Sequence, residues 1–321
     1  MHSVRIPNTA LDVSSLCLGT GEFGSKLDRA ASWALLDAFV AGGGTFIDTA
    51  NIYGDWIPET KSSSEKTIGA WLTDRGNRDK MIIATKGAHP LLSSMNVSRC
   101  TPEDIVHDID QSLGHLQCDV IDLYWLHRDD PTRPTGEIIE CLAGQVKAGK
   151  IHYYGCSNWR VERIAAANAY AAAHGLPGFV ADQMLWNAAK LDVAAISDKT
   201  IVAMEAPLYR YHQETGLAAI PFSSQAHGLL HKLAMGRSDA IRASHNVIYP
   251  SASNQRRAVA VQTLAQELNV SFTGVVLGYL QSQPFVTVPI IGAQSLSHLQ
   301  DSMAGDGVWL DEEQRDLIDA L

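Results

Sequence analysis

Two residues in the stretch TFIDTANIYG (45–54), Asp48 and Tyr53, set a carboxylate and a phenol just beyond the apolar run that ends at Ile47. Further along, the exits of other apolar runs carry side chains that donate, accept or hold protons: Lys86 in IIATKG, His127 in LYWLHRDD, Ser157 with Asn158 in YYGCSNW, and Gln183 in ADQM. A phenol has an unperturbed pKa of about 10, so it exchanges protons slowly at neutral pH unless a neighbouring cation stabilises the phenolate. Lys86 is a candidate for that cation, Asp48 for the group that holds and balances the ammonium, and His127 for a hydrogen-bond donor to a reacting oxygen. The set suits carbonyl reduction, in which a hydride reaches carbon and a proton reaches oxygen. The hydride has to come from a cofactor, because no side chain supplies one. Taken singly, each residue has a structural explanation: the Asp as a cap, the Lys as a solvated charge, the His as a packed side chain, Ser157 and Asn158 as turn formers. Their recurrence at successive run ends is what points to chemistry.

Those runs alternate with longer amphipathic segments along nearly the whole chain, strand first in each unit. Strands are predicted at 14–20, 44–49, 81–86, 120–127, 151–157, 179–184, 217–223 and 285–291. Eight strand-first units in 321 residues, without a low-complexity linker, predict a single α/β domain over 1–321 with the (β/α)8 TIM-barrel architecture. A doubly wound sheet would need a break in composition or an antiparallel edge to use so much chain. In such a barrel the strands' C-terminal ends converge on one mouth, which brings Asp48, Lys86, His127, Ser157, Asn158 and Gln183 together. The clearest helix signal is TPEDIVHDIDQSLGHL (101–116), with Thr101 as cap, Pro102 at the first helical position and Ile105, Ile109, Leu113 and Leu116 on one face. A second helix runs into Gly42–Gly44, which end it. Residues 54–64, 204–216 and 231–253 are surplus to this plan and are read as loops or additions to the barrel, with loop insertions at its C-terminal face.

The formal charge of −10 leaves no basic footprint for nucleic acid or an anionic membrane, so the expected partner is a small molecule. Five cysteines, odd in number and without C-x-x-C spacing, predict free thiols rather than a disulfide framework or a zinc ribbon. The N-terminal residues carry no apolar leader pattern and no run of about 18 apolar residues occurs, so a cytoplasmic protein is expected.

The ordered set LGTGEFG, FIDTANIYG, SSSEKTIGAWL, ATKG, DLYWLHRDDP, GKIHYYGCSNW and PIIGAQSLSHLQDSM resembles the aldo-keto reductase family across almost the whole chain. The resemblance implies a nicotinamide cofactor lying across the barrel mouth and a catalytic tetrad of Asp48, Tyr53, Lys86 and His127. It further implies that Ser157, Asn158 and Gln183 bond the nicotinamide carboxamide, that Gly19 and Thr20 belong to the first cofactor-side loop, and that Phe222 stacks on the nicotinamide. Beyond the eighth strand it departs from the family pattern. Gly292, Gln294 and His298 stand where NADPH-dependent members place fixed cations, leaving Ser295 as a donor and Asp301 toward the adenine. By the family's habit the cofactor is NADP(H) in preference to NAD(H).

Phe23, Trp56, Arg128 and Trp159 are expected to line a substrate pocket with aromatic and polar walls, suited to a sugar, a polyol or a small polar aldehyde, with packing under the fifth helix an equal alternative for Trp159. Two other classes stay open: a regulatory or sensor subunit that keeps the fold and its cofactor, and a metal-dependent barrel enzyme. The sequence lacks the H-x-H spacing that a metal-dependent enzyme would favour, and no metal is expected. It does not choose the substrate, the direction or the oligomeric state.

Overall fold

The computed structural model describes residues 1–321, Ser251 by its backbone alone. An antiparallel hairpin, β1 (Ser3–Arg5) and β2 (Asp12–Ser14), comes first. Eight parallel strands follow in chain order: β3 (Cys17–Gly19), β4 (Phe46–Asp48), β5 (Ile82–Gly87), β6 (Ile121–Leu126), β7 (Ile151–Ser157), β8 (Ala181–Gln183), β9 (Ala218–Ala219) and β10 (Ile290–Gly292). β10 returns to pair with β3. Between β9 and β10 the ring closes as Ala219 N donates to Val286 O (2.9 Å), Val288 N to Ala219 O (2.9 Å) and Ile290 N to Pro221 O (3.0 Å). The ladder is short here because Pro221 and Pro289 have no N–H to contribute. This is the (β/α)8 barrel expected from the strand order.

Alternation of side chains across each strand decides what faces the barrel axis. Cys17, Phe46, Ala84, Leu123, Trp125, Ala181, Ala218 and Ile290 form the interior cluster, whereas Leu18, Ile47, Ile83, Tyr124, Ala219 and Ile291 pack outward against the helices. Continuing the inward parity by two residues reaches Gly19, Asp48, Lys86, His127, Gln183 and Gly292. The top of the barrel is therefore polar because the last inward position of these six strands is polar or lacks a side chain, whereas β9 continues to the apolar Ile220. Gly155 lies beside Trp125 in the β6–β7 register, and a Cβ there would stand 2.5 Å from the indole, so glycine makes room for the largest interior side chain.

The hairpin is an addition to the predicted strands: only its last residue, Ser14, falls within the segment 14–20, whose Cys17–Gly19 is the first barrel strand. Ile6, Leu11 and Val13 join the interior cluster, and Ser14 N donates to Thr45 Oγ1 just before β4 begins, so the hairpin plugs the end of the barrel opposite the polar mouth. The helix predicted at 101–116 is present as Pro102–Leu116, with Thr101 Oγ1 accepting from Asp104 N at 3.0 Å and Ile105, Ile109 and Leu116 buried. Arg29–Ala41 forms the helix that Gly42 ends.

Segment 204–216 is a correction. It holds the helix Ala206–Thr215, not a loop insertion. Only Leu208 and His212 are buried on it, a single i, i+4 pair, and so thin a stripe gives a weak periodicity signal. Segment 231–253 contains the short helix Ala243–Ile248 after the helix Leu229–Ala234, and 54–64 contains one 3₁₀ turn, Pro58–Thr60. The five cysteines are free thiols. Among the described residues, no helix is long and apolar enough to cross a membrane, and no group of three or more His, Cys, Asp or Glu gathers as a metal site would require.

Candidate active site

Pairing between β4 and β5 continues past the end of β4: Thr49 N donates to Ala84 O and Asn51 N to Lys86 O, both at 2.9 Å. The chain then turns, with Tyr53 N donating to Ala50 O at 3.0 Å. Gly54 has φ 105, and a Cβ on it would collide with Thr60 O and Ser63, so glycine permits the turn that presents Tyr53. Lys86 is fully buried beneath. Its Nζ donates to Asp48 Oδ2, to Thr49 O at 2.8 Å and to Tyr53 Oη at 3.2 Å, which accounts for all three ammonium protons. Burial opposes that charge, but Asp48 and then Tyr53 outweigh it and hold the Lys86 ammonium above its ordinary value. Burial pushes the Asp48 carboxyl up while Lys86 pulls against it, and Gln183 Nε2 donates to its second oxygen at 3.0 Å.

His127 follows β6, its backbone N donating to Gly87 O at 2.9 Å, and its ring meets the Tyr53 ring edge-on at 5.9 Å between centroids. Burial first, then His89, Arg128 and Lys86, hold its pKa well below the usual histidine value, so the imidazole is neutral near pH 7. Its Nδ1 is buried with no partner among the described residues. A proton placed there would be an unpaired buried donor, which favours the tautomer protonated at Nε2.

His89 was not singled out in the sequence. Its ring packs 4.7 Å from that of His127 on a loop whose Ala88 has φ 58. Ala88 N donates to Asp108 Oδ2, and Asp108 in turn takes both ends of the Arg99 guanidinium, a clamp that holds this left-handed residue in place.

One cavity of about 1120 Å³ collects most of the remaining candidates. Gly19, Phe23, Tyr53, Trp56, His127, Arg128, Ser157, Asn158, Gln183, Phe222, Gly292, Gln294, His298 and Asp301 all line it. Asp48 and Lys86 lie below its wall, reached through Gln183 and Tyr53. Three expected lining residues are elsewhere. Thr20 is buried, its Oγ1 donating to Asp48 O at 2.9 Å to tie β3 to β4. Ser295 caps the helix Leu296–Met303, accepting from His298 N. Trp159 is fully buried against Phe179, 5.1 Å between centroids, and donates to Arg128 O at 3.3 Å, so it packs under the mouth rather than lining it. Asn158 is engaged in holding the rim: its Nδ2 donates to Ser157 Oγ and His127 O, and its Oδ1 accepts from Val202 N.

The far end of the cavity holds cations that sequence reasoning passed over. Lys232, Arg237 and Arg242 line it beside Gln294, His298 and Asp301, and among the described residues neither arginine side chain has an ion pair or hydrogen bond. They come from the 229–248 segment, not from the positions after β10 where cations were sought. Three basic residues spaced five apart in an insertion at the mouth are the signal that could have found them.

The family described as "Aldo/keto reductase family" matches residues 15–321. The chain is 29% identical over 328 residues to "Norsolorinic acid reductase stcV" of Emericella nidulans, covering 98% of this chain and 79% of that protein. It is 30% identical over 322 residues to "Uncharacterized oxidoreductase YrpG" of Bacillus subtilis, covering 98% and 93%. "Aldo-keto reductase ausK" of Emericella nidulans is 29% identical over 340 residues, covering 100% and 81%.

The environment of His127 has a direct consequence. Its imidazole resonances should stay at their neutral positions as pH is lowered through about 6.5, the ordinary histidine value. The unfolded chain binds this proton more readily than the folded one, so the stability tied to the neutral ring is full above about 6.5 and is lost as pH falls below it. An NMR titration that gives His127 a midpoint near the ordinary value would contradict the assignment.

Proposed function

The chain belongs to the aldo/keto reductase family, a family of carbonyl–alcohol oxidoreductases that generally use NAD(P)H, and on that premise we propose that Tyr53 is the group that moves the proton. The observation that carries this reading is the third bond of Lys86. Because the ammonium donates to Tyr53 Oη, that oxygen is already an acceptor, and the phenol's own proton is left to point into the cavity. In reduction Tyr53 gives that proton to the substrate oxygen while His127, neutral and protonated at Nε2, donates a hydrogen bond to the same oxygen. In oxidation Tyr53 takes the proton back. Asp48 acts through Lys86 by holding the ammonium in place.

A nicotinamide cofactor, when bound, supplies or removes the hydride. The residues present fit such a group: an elongated cavity runs from Tyr53 to the cationic end, with Phe222 half-buried in its wall. Gln183 Oε1 and Ser157 Oγ are the groups left to meet the carboxamide, since Gln183 Nε2 is taken by Asp48 and the Asn158 amide by the rim. Arg237 and Arg242 supply the fixed charge that Gly292, Gln294 and His298 do not, which favours NADP(H) because an extra phosphate is best met by guanidinium. The substrate is a small carbonyl compound or its alcohol.

Two experiments test this reading. Tyr53→Phe should slow turnover by about 10²- to 10⁴-fold, the range for lost general catalysis, while the cofactor Kd stays unchanged. Near-full activity with collapsed cofactor affinity would make the phenol a binding group. The Arg237→Met/Arg242→Met double variant should weaken NADP(H) by about tenfold or more, the scale of a lost charge-assisted hydrogen bond, and leave the NAD(H) Kd nearly unchanged. Equal losses for both cofactors, measured by fluorescence titration, would remove the arginines from phosphate recognition.

A further inference from the structure

Arg128 follows His127 directly and lines the cavity beside Tyr53 and Trp56, yet it is only 9% exposed. A guanidinium has five N–H donors. Here Nε donates to Thr200 Oγ1 at 2.8 Å, Nη1 to His127 O at 2.9 Å and Nη2 to Asp198 Oδ2 at 3.3 Å, which leaves two N–H groups without a partner among the described residues. Its counter-charge is incomplete. Asp198 is 38% exposed, and its other oxygen already accepts from Thr200 N and Thr200 Oγ1. Burial draws Arg128 below its ordinary value against the pull of Asp198 and Tyr53, as expected for a cation short of negative partners.

The surroundings do not supply that partner. His127 and His89 bring no negative charge, Arg99 is committed to Asp108 and Asp104, and Phe23, Trp56 and Ile201 are uncharged. Of the two carboxylates that line the cavity, Glu22 is bonded to Lys26 and Gln294, and Asp301 lies at the other end and accepts from Thr273 Oγ1.

We infer that Arg128 is the specificity-determining residue of the site and selects carbonyl substrates that carry a carboxylate, which its two unpartnered N–H groups would bind. The inference rests on the reductase reading, because it names which substrates that same site takes. A planar guanidinium matches a carboxylate better than any point charge, and a site whose donors are already desolvated gains most from an anion. The competing explanation is that Arg128 only staples the 198–202 loop to the end of β6. That role would make no distinction between charged and neutral aldehydes.

The test uses 4-carboxybenzaldehyde and 4-methylbenzaldehyde, similar in outline and different in charge, titrated calorimetrically into the full-length protein saturated with oxidised cofactor so that no turnover intervenes. The carboxylated aldehyde should bind about tenfold or more tightly, the scale of one charge-assisted hydrogen bond. Arg128→Gln should abolish that difference, Arg128→Lys should keep part of it, and Asp198→Asn should enlarge it by removing the competing acid. Equal binding in the wild type, or a preference that survives Arg128→Gln, overturns the inference. Should Arg128→Gln not fold, Asp198→Asn decides: an enlarged preference supports the assignment and an unchanged one overturns it. Turnover of 4-methylbenzaldehyde with reduced cofactor is read separately, because its loss would fall on the reductase reading and leave the binding difference standing.

Discussion

A fully buried ammonium is tolerable only where every one of its protons meets an acceptor, and Lys86 meets that condition with partners from three different places. Asp48 is the last inward residue of β4, the Thr49 carbonyl comes from the backbone just beyond it, and the Tyr53 oxygen comes from the turn that Gly54 allows. Moving β4 by one residue would turn Asp48 outward and leave the charge bare. Stripping one partner from a buried pair costs about 3–5 kcal/mol, a large share of the 5–15 kcal/mol that holds a domain folded. The barrel register and the placement of Asp48 and Tyr53 around Lys86 thus answer to one electrostatic requirement.

What could be read from the chain follows the same physics. Strand exits were legible because a polar residue ending an apolar run is a local pattern, and strand order supplied the barrel. The N-terminal hairpin was not legible: Ile6, Leu11 and Val13 form no long alternating run, and their burial depends on the open barrel end they fill. Helix 206–215 was missed because one i, i+4 pair carries its burial. Trp159 looked like a pocket wall by its place after Asn158, but the tight turn at Asn158, φ 61, sends the indole down onto Phe179. His89 was out of reach because its importance lies in proximity to His127, across segments far apart in the chain, whereas Arg237 and Arg242 left only the five-residue spacing of basic residues as a trace of their place at the cavity.

The distribution of charge also bears on function. The protein carries a formal charge of −10, yet one cavity is lined by Arg128 near Tyr53 and by Lys232, Arg237 and Arg242 at its other end. Lys26 also lines it, so cations outnumber its two carboxylates, Glu22 and Asp301, and a concave site with an excess of positive charge in a molecule of net negative charge concentrates anionic ligands in a single place. His127 and His227 add no positive charge near pH 7, since burial holds both low, His227 at about 4. The arginines and lysines therefore carry the attraction, and the neutral imidazole of His127 remains a hydrogen-bond donor.

The central claim is that Lys86 acts through the Tyr53 oxygen, and a double-mutant cycle measures that dependence directly. kcat/KM would be determined for the wild type, Lys86→Met, Tyr53→Phe and the double variant, with a substrate whose chemical step limits the rate. Residues that work as one unit do not add, so once Tyr53 is gone the loss of Lys86 should cost almost nothing further, although Lys86→Met alone slows the wild type by about 10²-fold or more. Independent, multiplying losses from the two substitutions would contradict the account and detach the buried ammonium from the proton transfer.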